Sequence, residues 1–188
     1  GYDVVMTRYE QPSGTLRCAE VLSQFPMVTH VVNVQGDEPL IDPQMIDFLA
    51  TNMIEQTGLK VATLIRRIED AADLSNPNVV KVVINRNNEA MYFSRQAIPF
   101  VRDFPVDSWL EHGVYYKHVG MYAYTSQALM AIEKLHMHPY EALEKLEQLT
   151  WIAHGLSIEC YETNMESIGI DTEEDLKAVT SMIAELED

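Results

Sequence analysis

Residues 29–41, THVVNVQGDEPLI, constrain the fold of this chain more than any other stretch. Val31, Val32 and Val34 are β-branched residues in a short apolar run, the pattern of a strand buried on both faces in an α/β protein. The run stops at Gln35-Gly36-Asp37-Glu38-Pro39. Gly36 permits a backbone conformation or a close approach that a side chain would block, and Pro39 cannot continue a ladder. Asp37 and Glu38 therefore stand at the carboxyl end of a strand, where ligands bind in open α/β sheets. Hard oxygen ligands at such a place suit Mg²⁺ carrying substrate phosphates. The plainer reading, that the two acids cap the helix predicted from residue 43, is weakened by Asp42, which already fills the cap before Pro43.

The remaining pattern alternates strands and helices, with predicted strands at 3–6, 59–65, 115–124 and 157–163, and a hairpin over 79–94. Helical spacing predicts helices at 16–25, 43–56, 126–135, 140–152 and 173–186. This order gives a three-layer α/β sandwich around a mostly parallel mixed sheet. A length of 188 residues suits one domain with a sizeable core, and no Pro-, Gly- or Ser-rich linker divides it. Pro12-Ser13-Gly14-Thr15 offers hydroxyls and backbone amides just before a helix start, an arrangement that receives anions or simply caps the helix.

A formal net charge of −16 argues against a nucleic-acid partner or an anionic membrane surface. It also means that any site for anionic ligands needs a local concentration of cations. No apolar run reaches membrane-spanning length, and Cys18 and Cys160 are too few for a disulfide framework, so a cytoplasmic setting is expected.

Four blocks carry a resemblance. MTRYEQPSGTLRCAEV, VNVQGDEPLI, MYFSRQAIP with YYKHVGMYAY, and LEKLEQL with ESIGIDTEEDL resemble, in order, the motifs of the Kdo cytidylyltransferase (CMP-Kdo synthetase) family. These enzymes activate an eight-carbon 2-keto sugar acid, 3-deoxy-manno-octulosonate (Kdo), for lipopolysaccharide synthesis. The resemblance implies the nucleotide-diphospho-sugar transferase fold, a homodimer, and transfer of CMP from CTP to Kdo with release of pyrophosphate. It implies Asp37 and Asp171 as catalytic ligands of Mg²⁺. It implies Ser13, Gly14, Thr15 and Arg17 at the nucleotide, and Gln35, Arg95, His118, Tyr122, Glu147 and Gln148 at the sugar, with His118 donating to sugar hydroxyls. Lys117, Thr125 and Thr150 stand where the family has arginine, and Leu16 where it has an acid. Relative to the family the chain is N-terminally incomplete, starting at Gly1 without the loop that wraps the triphosphate. A non-catalytic sugar-acid-binding domain and the same chemistry on an amino-substituted Kdo are the competing expectations.

Overall fold

The computed structural model describes residues 2–165, 169–170 and 172–187, apart from the side chains of 174, 175, 178 and 184–187. Six strands form one sheet: β1 (His30–Asn33), β2 (Val61–Arg67), β3 (Lys81–Ile84), β4 (Ala90–Ser94), β5 (Tyr116–Thr125) and β6 (Glu159–Glu162). The helices are α1 (Gly14–Leu22), α2 (Pro43–Glu55), α3 (Ala71–Ser75), α4 (Ser126–Ile132), α5 (Pro139–Glu144), α6 (Gln148–Ala153) and α7 (Glu173–Glu187). A 3-10 turn, Val106–Glu111, lies within the stretch 101–111 expected to be irregular.

The ten-residue β5 organises the sheet. It runs antiparallel to β1, β2 and β3, while β6 pairs parallel with β2 and β4 antiparallel with β3. So β1, β2, β3 and β6 share one direction and β4 and β5 oppose them. Alternate residues of β2 and β5 supply the two faces. Ala62, Leu64, Met121 and Ala123 pack against Met45, Leu49 and Met53 of α2. Val61, Ile65, Tyr122 and Tyr124 pack on the opposite face against Ala19, Leu129 and Trp151, from α1, α4 and α6. Helices thus cover both faces, the three layers that the alternation predicts.

Three local expectations change. Residues 3–6 form no strand; Val4 and Met6 are more than four-fifths exposed, with no strand beside them among the described residues. β1 pairs with β5 alone among the described residues, so Val34 is 37% exposed and the buried residue of this strand is Asn33. Gly36 is not forced by crowding, since a Cβ there would meet nothing within 4 Å.

The continuous helix expected over 140–152 is divided in two. Lys145 adopts the left-handed conformation (φ 55°, ψ 46°) at the end of α5, its backbone N–H donating to Glu141 O at 2.7 Å. The chain then turns before restarting as α6. Both buried polar residues after this break, Gln148 and Thr150, face inward instead of forming a solvated surface. Thr150 Oγ1 accepts from His138 N at 2.8 Å and donates to Glu141, which ties α6 to the start of α5. Thr125 caps α4 by accepting from Ala128 N at 3.2 Å. Thr125 and Thr150 therefore both hold helix ends.

Candidate active site

A cavity of about 1050 Å³ opens beyond β1, along β5 and the end of β4. Its lining carries both signs of charge. Asp37 and Glu38 line it with Gln35, Gly169 and Thr172; Arg66, Arg95, Lys117 and Lys145 line it too. Four of the chain's 13 Lys and Arg residues thus share one cavity in a protein of net charge −16. Charges gathered in a cleft with low-dielectric walls focus its field.

Strand register produces part of this cationic lining. Lys117 lies directly opposite Arg66 on one side and Lys81 on the other. Lys117 Nζ pairs with Asp73 Oδ2 at 2.6 Å. Lys81 is fully buried behind it, donating to Asn76 O at 2.8 Å, and burial holds its pKa below the usual lysine value. Arg95 is fixed by its backbone: Nε donates to Glu144 O at 2.7 Å and one terminal nitrogen to Pro77 O at 3.0 Å. The Glu144 carboxylate accepts from Ser94 Oγ at 2.8 Å and from Arg95 N at 3.0 Å. The end of β4 and the end of α5 are thereby joined at the cavity.

His118 lines the cavity between Phe93 and Tyr122, each ring centroid 5.1 Å away. Burial pushes its imidazole down to about 3, so the ring is neutral near pH 7. Thr63 sets its tautomer. The Thr63 hydroxyl gives its proton to Met121 O at 2.7 Å, with Val119 O a longer second acceptor at 3.3 Å. Toward His118 Nε2, 3.0 Å away, that hydroxyl can only accept. Assigned from this network, Nε2 carries the proton and Nδ1 is an acceptor. His118 therefore has no N–H left to give, and its remaining ring nitrogen is an acceptor, which does not suit the donor role expected of it. The same hydroxyl spans a bulge: β2 residue Thr63 pairs with Tyr122 and the next residue, Leu64, with Val119. Gln35 holds the bulge from the other side, Nε2 donating to Gly120 O at 3.1 Å.

Asp37 is exposed at the cavity, and its backbone carbonyl accepts from Ile170 N at 2.9 Å. The segment around 169–172 is thereby brought beside the QGD turn. Asp171, the second expected metal ligand, lies outside the described residues; Ile170 and Thr172 flank it, and Thr172 lines the cavity. Among the described residues no three His, Cys, Asp or Glu side chains cluster to hold a metal. Mg²⁺ needs no such cluster, because it is held by one or two carboxylates together with substrate phosphates.

The other expected residues form a buried polar layer behind the cavity. Thr15 is fully buried, its Oγ1 donating to Glu147 Oε1 at 2.6 Å and lying 3.1 Å from Tyr124 Oη. Burial raises the Glu147 carboxyl above its usual value, opposed by hydrogen bonds from Thr15 and Ser13. Gly14 sits close above Asn33 and Gln35: a Cβ there would lie 3.4 Å from Asn33 Nδ2. Asn33 faces Tyr122 across the β1–β5 ladder, and Asn33 Nδ2 and Tyr122 Oη are both buried with no hydrogen-bond partner among the described residues. Such groups mark a place for a ligand or water. Gln148 is buried beside this layer. Arg17 stands apart, its guanidinium donating to Thr7 Oγ1 at 2.6 Å and to the carbonyls of Arg8, Tyr9 and Gln11.

Gln35, Asp37, Arg95 and His118 thus come together in the cavity. Ser13, Gly14, Thr15, Tyr122, Glu147 and Gln148 form the layer that touches it through Gln35. The reading of motifs missed Arg66, Lys145, Asn33 and Thr63. Strand register alone would have revealed Arg66 opposite Lys117, and nothing in the spacing marks Lys145.

The profile of a family described as Cytidylyltransferase matches residues 1–165. The 3-deoxy-manno-octulosonate cytidylyltransferase of Cytophaga hutchinsonii is 46% identical over 96% of this chain and 72% of its own length. That of Psychromonas ingrahamii is 45% identical over 97% of this chain and 74% of its own. A solved CMP:2-keto-3-deoxy-manno-octonic acid synthetase complexed with CTP superposes with a TM-score of 0.86 at 37% identity, over 96% of this chain and 72% of that one. With the sheet topology and the QGD turn at its cavity, the chain belongs to the cytidylyltransferase family, on the branch of the 3-deoxy-manno-octulosonate cytidylyltransferases.

Proposed function

We propose that this chain joins CMP from CTP to Kdo at the two-signed cavity, with release of pyrophosphate. The observation that carries this reading is the cavity's lining, four cations and the acidic turn in one cleft, in a chain otherwise strongly anionic. The anomeric oxygen of the sugar attacks the α-phosphorus of CTP, a new P–O bond forms, and the bond to the β-phosphate breaks. The hydroxyl proton leaves to solvent or to an acceptor beside it. Chemistry of this kind depends on in-line placement and neutralised charge more than on covalent help.

Asp37 and Asp171 would hold Mg²⁺; the support is that Asp37 stands at the cavity and that Ile170 and Thr172, on either side of position 171, lie next to it. When bound there, the ion supplies charge neutralisation to the nucleotide's phosphates. Arg95 presents its remaining N–H groups to the sugar carboxylate, and His118 accepts from a sugar hydroxyl through Nδ1. Tyr122 and Asn33 carry the unpaired polar atoms nearest the SGT turn, where Ser13, Gly14 and Thr15 would meet the nucleotide, with Glu147 and Gln148 behind them. Two free cysteines suit a reducing compartment such as the cytoplasm. A homodimer suits the apolar side chains exposed around α5, Met137, Tyr140 and Leu143.

The test is pyrophosphate release from CTP and Mg²⁺ with Kdo as acceptor. Turnover that requires all three, with a rate on amino-substituted Kdo no higher than on Kdo, is expected. No turnover at saturating CTP and Kdo would reject the reading.

A further inference from the structure

Lys145 has a backbone conformation that its residue type disfavours. The left-handed region crowds a Cβ against the following carbonyl, and helix ends that need it take glycine or asparagine. Here a lysine holds it, at φ 55°, in the break that divides α5 from α6. The preceding residue, Glu144, is clamped on three sides: its carboxylate accepts from Ser94 Oγ and Arg95 N, and its carbonyl accepts from Arg95 Nε. The clamp carries Lys145, next to the Glu144 carbonyl that Arg95 holds, to the cavity that Arg95, Lys117 and His118 also line. Its ammonium has no ion-pair partner among the described residues, although Lys117 has Asp73. A strained backbone retained next to a ligand cavity, carrying a cation with no ion-pair partner among the described residues, points to binding.

We propose that Lys145 is a specificity-determining residue that recognises the carboxylate of the acceptor sugar acid together with Arg95. This rests on the acceptor site proposed above. Arg95 supplies a planar donor fork locked by protein carbonyls, whereas Lys145 supplies a mobile point charge on a long stem. The pair therefore demands an anion at one end of the acceptor. It separates sugar acids from neutral sugars of the same size.

The structure makes stability and binding diverge at this position, and the test uses that divergence. Lys145→Gly relieves the left-handed strain, so its Tm equals or exceeds that of the parent chain. Binding of Kdo, measured by titration calorimetry without turnover, weakens roughly tenfold, the loss of one charge-assisted contact. Binding of CTP is unchanged, and Lys145→Arg retains most of the affinity for Kdo. The methyl ester of Kdo, whose carboxylate is neutralised, binds the parent and Lys145→Gly equally weakly. Equal Kdo affinity in Lys145→Gly and the parent would overturn the proposal. So would weakening confined to CTP, which would assign the ammonium to the nucleotide's phosphates. A parent chain that binds no Kdo at all would reject the acceptor site itself, a result separable from the other two.

Discussion

Thr63 performs two tasks with one hydroxyl, and both can be separated experimentally. Its proton satisfies the bulge carbonyl of Met121, and its lone pair fixes the His118 tautomer. Thr63→Val leaves a buried carbonyl and a buried imidazole N–H unpaired, so stability falls by about 1–3 kcal/mol in denaturant unfolding. Thr63→Ser restores the hydroxyl and most of that loss. In ¹⁵N spectra the parent and Thr63→Ser show His118 protonated at Nε2, and Thr63→Val shows a mixture of tautomers; a pure Nε2–H form in Thr63→Val would contradict the assignment. His118 also imposes a pH dependence, because burial holds its pKa at about 3 against an ordinary 6.5. Above 6.5 neither the folded nor the unfolded chain holds the proton, and the full stability is present. As pH falls from 6.5 toward 3, the unfolded chain takes up a proton that the folded ring refuses, and stability declines by about 1.4 kcal/mol per unit. Urea unfolding of His118→Asn between pH 4 and 7 should lack this component, and an unchanged slope would refute it. The HVG motif made His118 conspicuous in the sequence. Its charge state and tautomer were not legible, because both depend on a residue 55 positions earlier that register alone brings into contact.

At the scale of elements, α1 is fastened by its first turn. Ser13 caps it by accepting from Leu16 N at 3.3 Å, and Thr15 binds the β5 side chain Tyr124 and the pre-α6 residue Glu147. Removing that hydroxyl with Thr15→Val leaves the half-buried Glu147 carboxylate with the Ser13 hydrogen bond but without that of Thr15. A loss of about 1–3 kcal/mol follows, recovered by Thr15→Ser, and nucleotide affinity falls with it because the SGT turn loses its anchor. Calorimetric titration with CTP alongside thermal unfolding checks both effects. Most of these elements were readable from periodicity: α2, the β3–β4 hairpin and the long β5 lie within a residue or two of their predicted ends. The exceptions have physical causes. The apolar spacing of 140–152 continues through Lys145, but the hydrogen bonds between Glu144 and the end of β4 turn the chain there, a tertiary override that no window of sequence contains. Residues 3–6 have the composition of a strand and no described neighbour to pair with.

For the molecule as a whole, function depends on gathering scarce positive charge. With 13 basic against 29 acidic residues, the chain repels anions at long range, yet β2, β4, β5 and the α5 terminus bring four cations to the cavity that the Asp37 turn also lines. The sequence motifs located the acidic turn and Arg95. They could not show that Arg66 and Lys145 complete the cationic lining, since those residues come from elements joined only by the fold. In the proposed reaction Asp37, at the end of the first strand, helps hold the Mg²⁺ that would neutralise the nucleotide's phosphates as the sugar attacks. The most direct measurement is steady-state pyrophosphate release by Asp37→Asn beside the parent chain, at saturating CTP, Kdo and Mg²⁺. Asp37 is exposed and its carbonyl, not its side chain, binds Ile170, so the variant keeps its Tm. The account predicts a fall in kcat of at least about a hundredfold, roughly 2.7 kcal/mol of transition-state stabilisation. Turnover within a fewfold of the parent would contradict it.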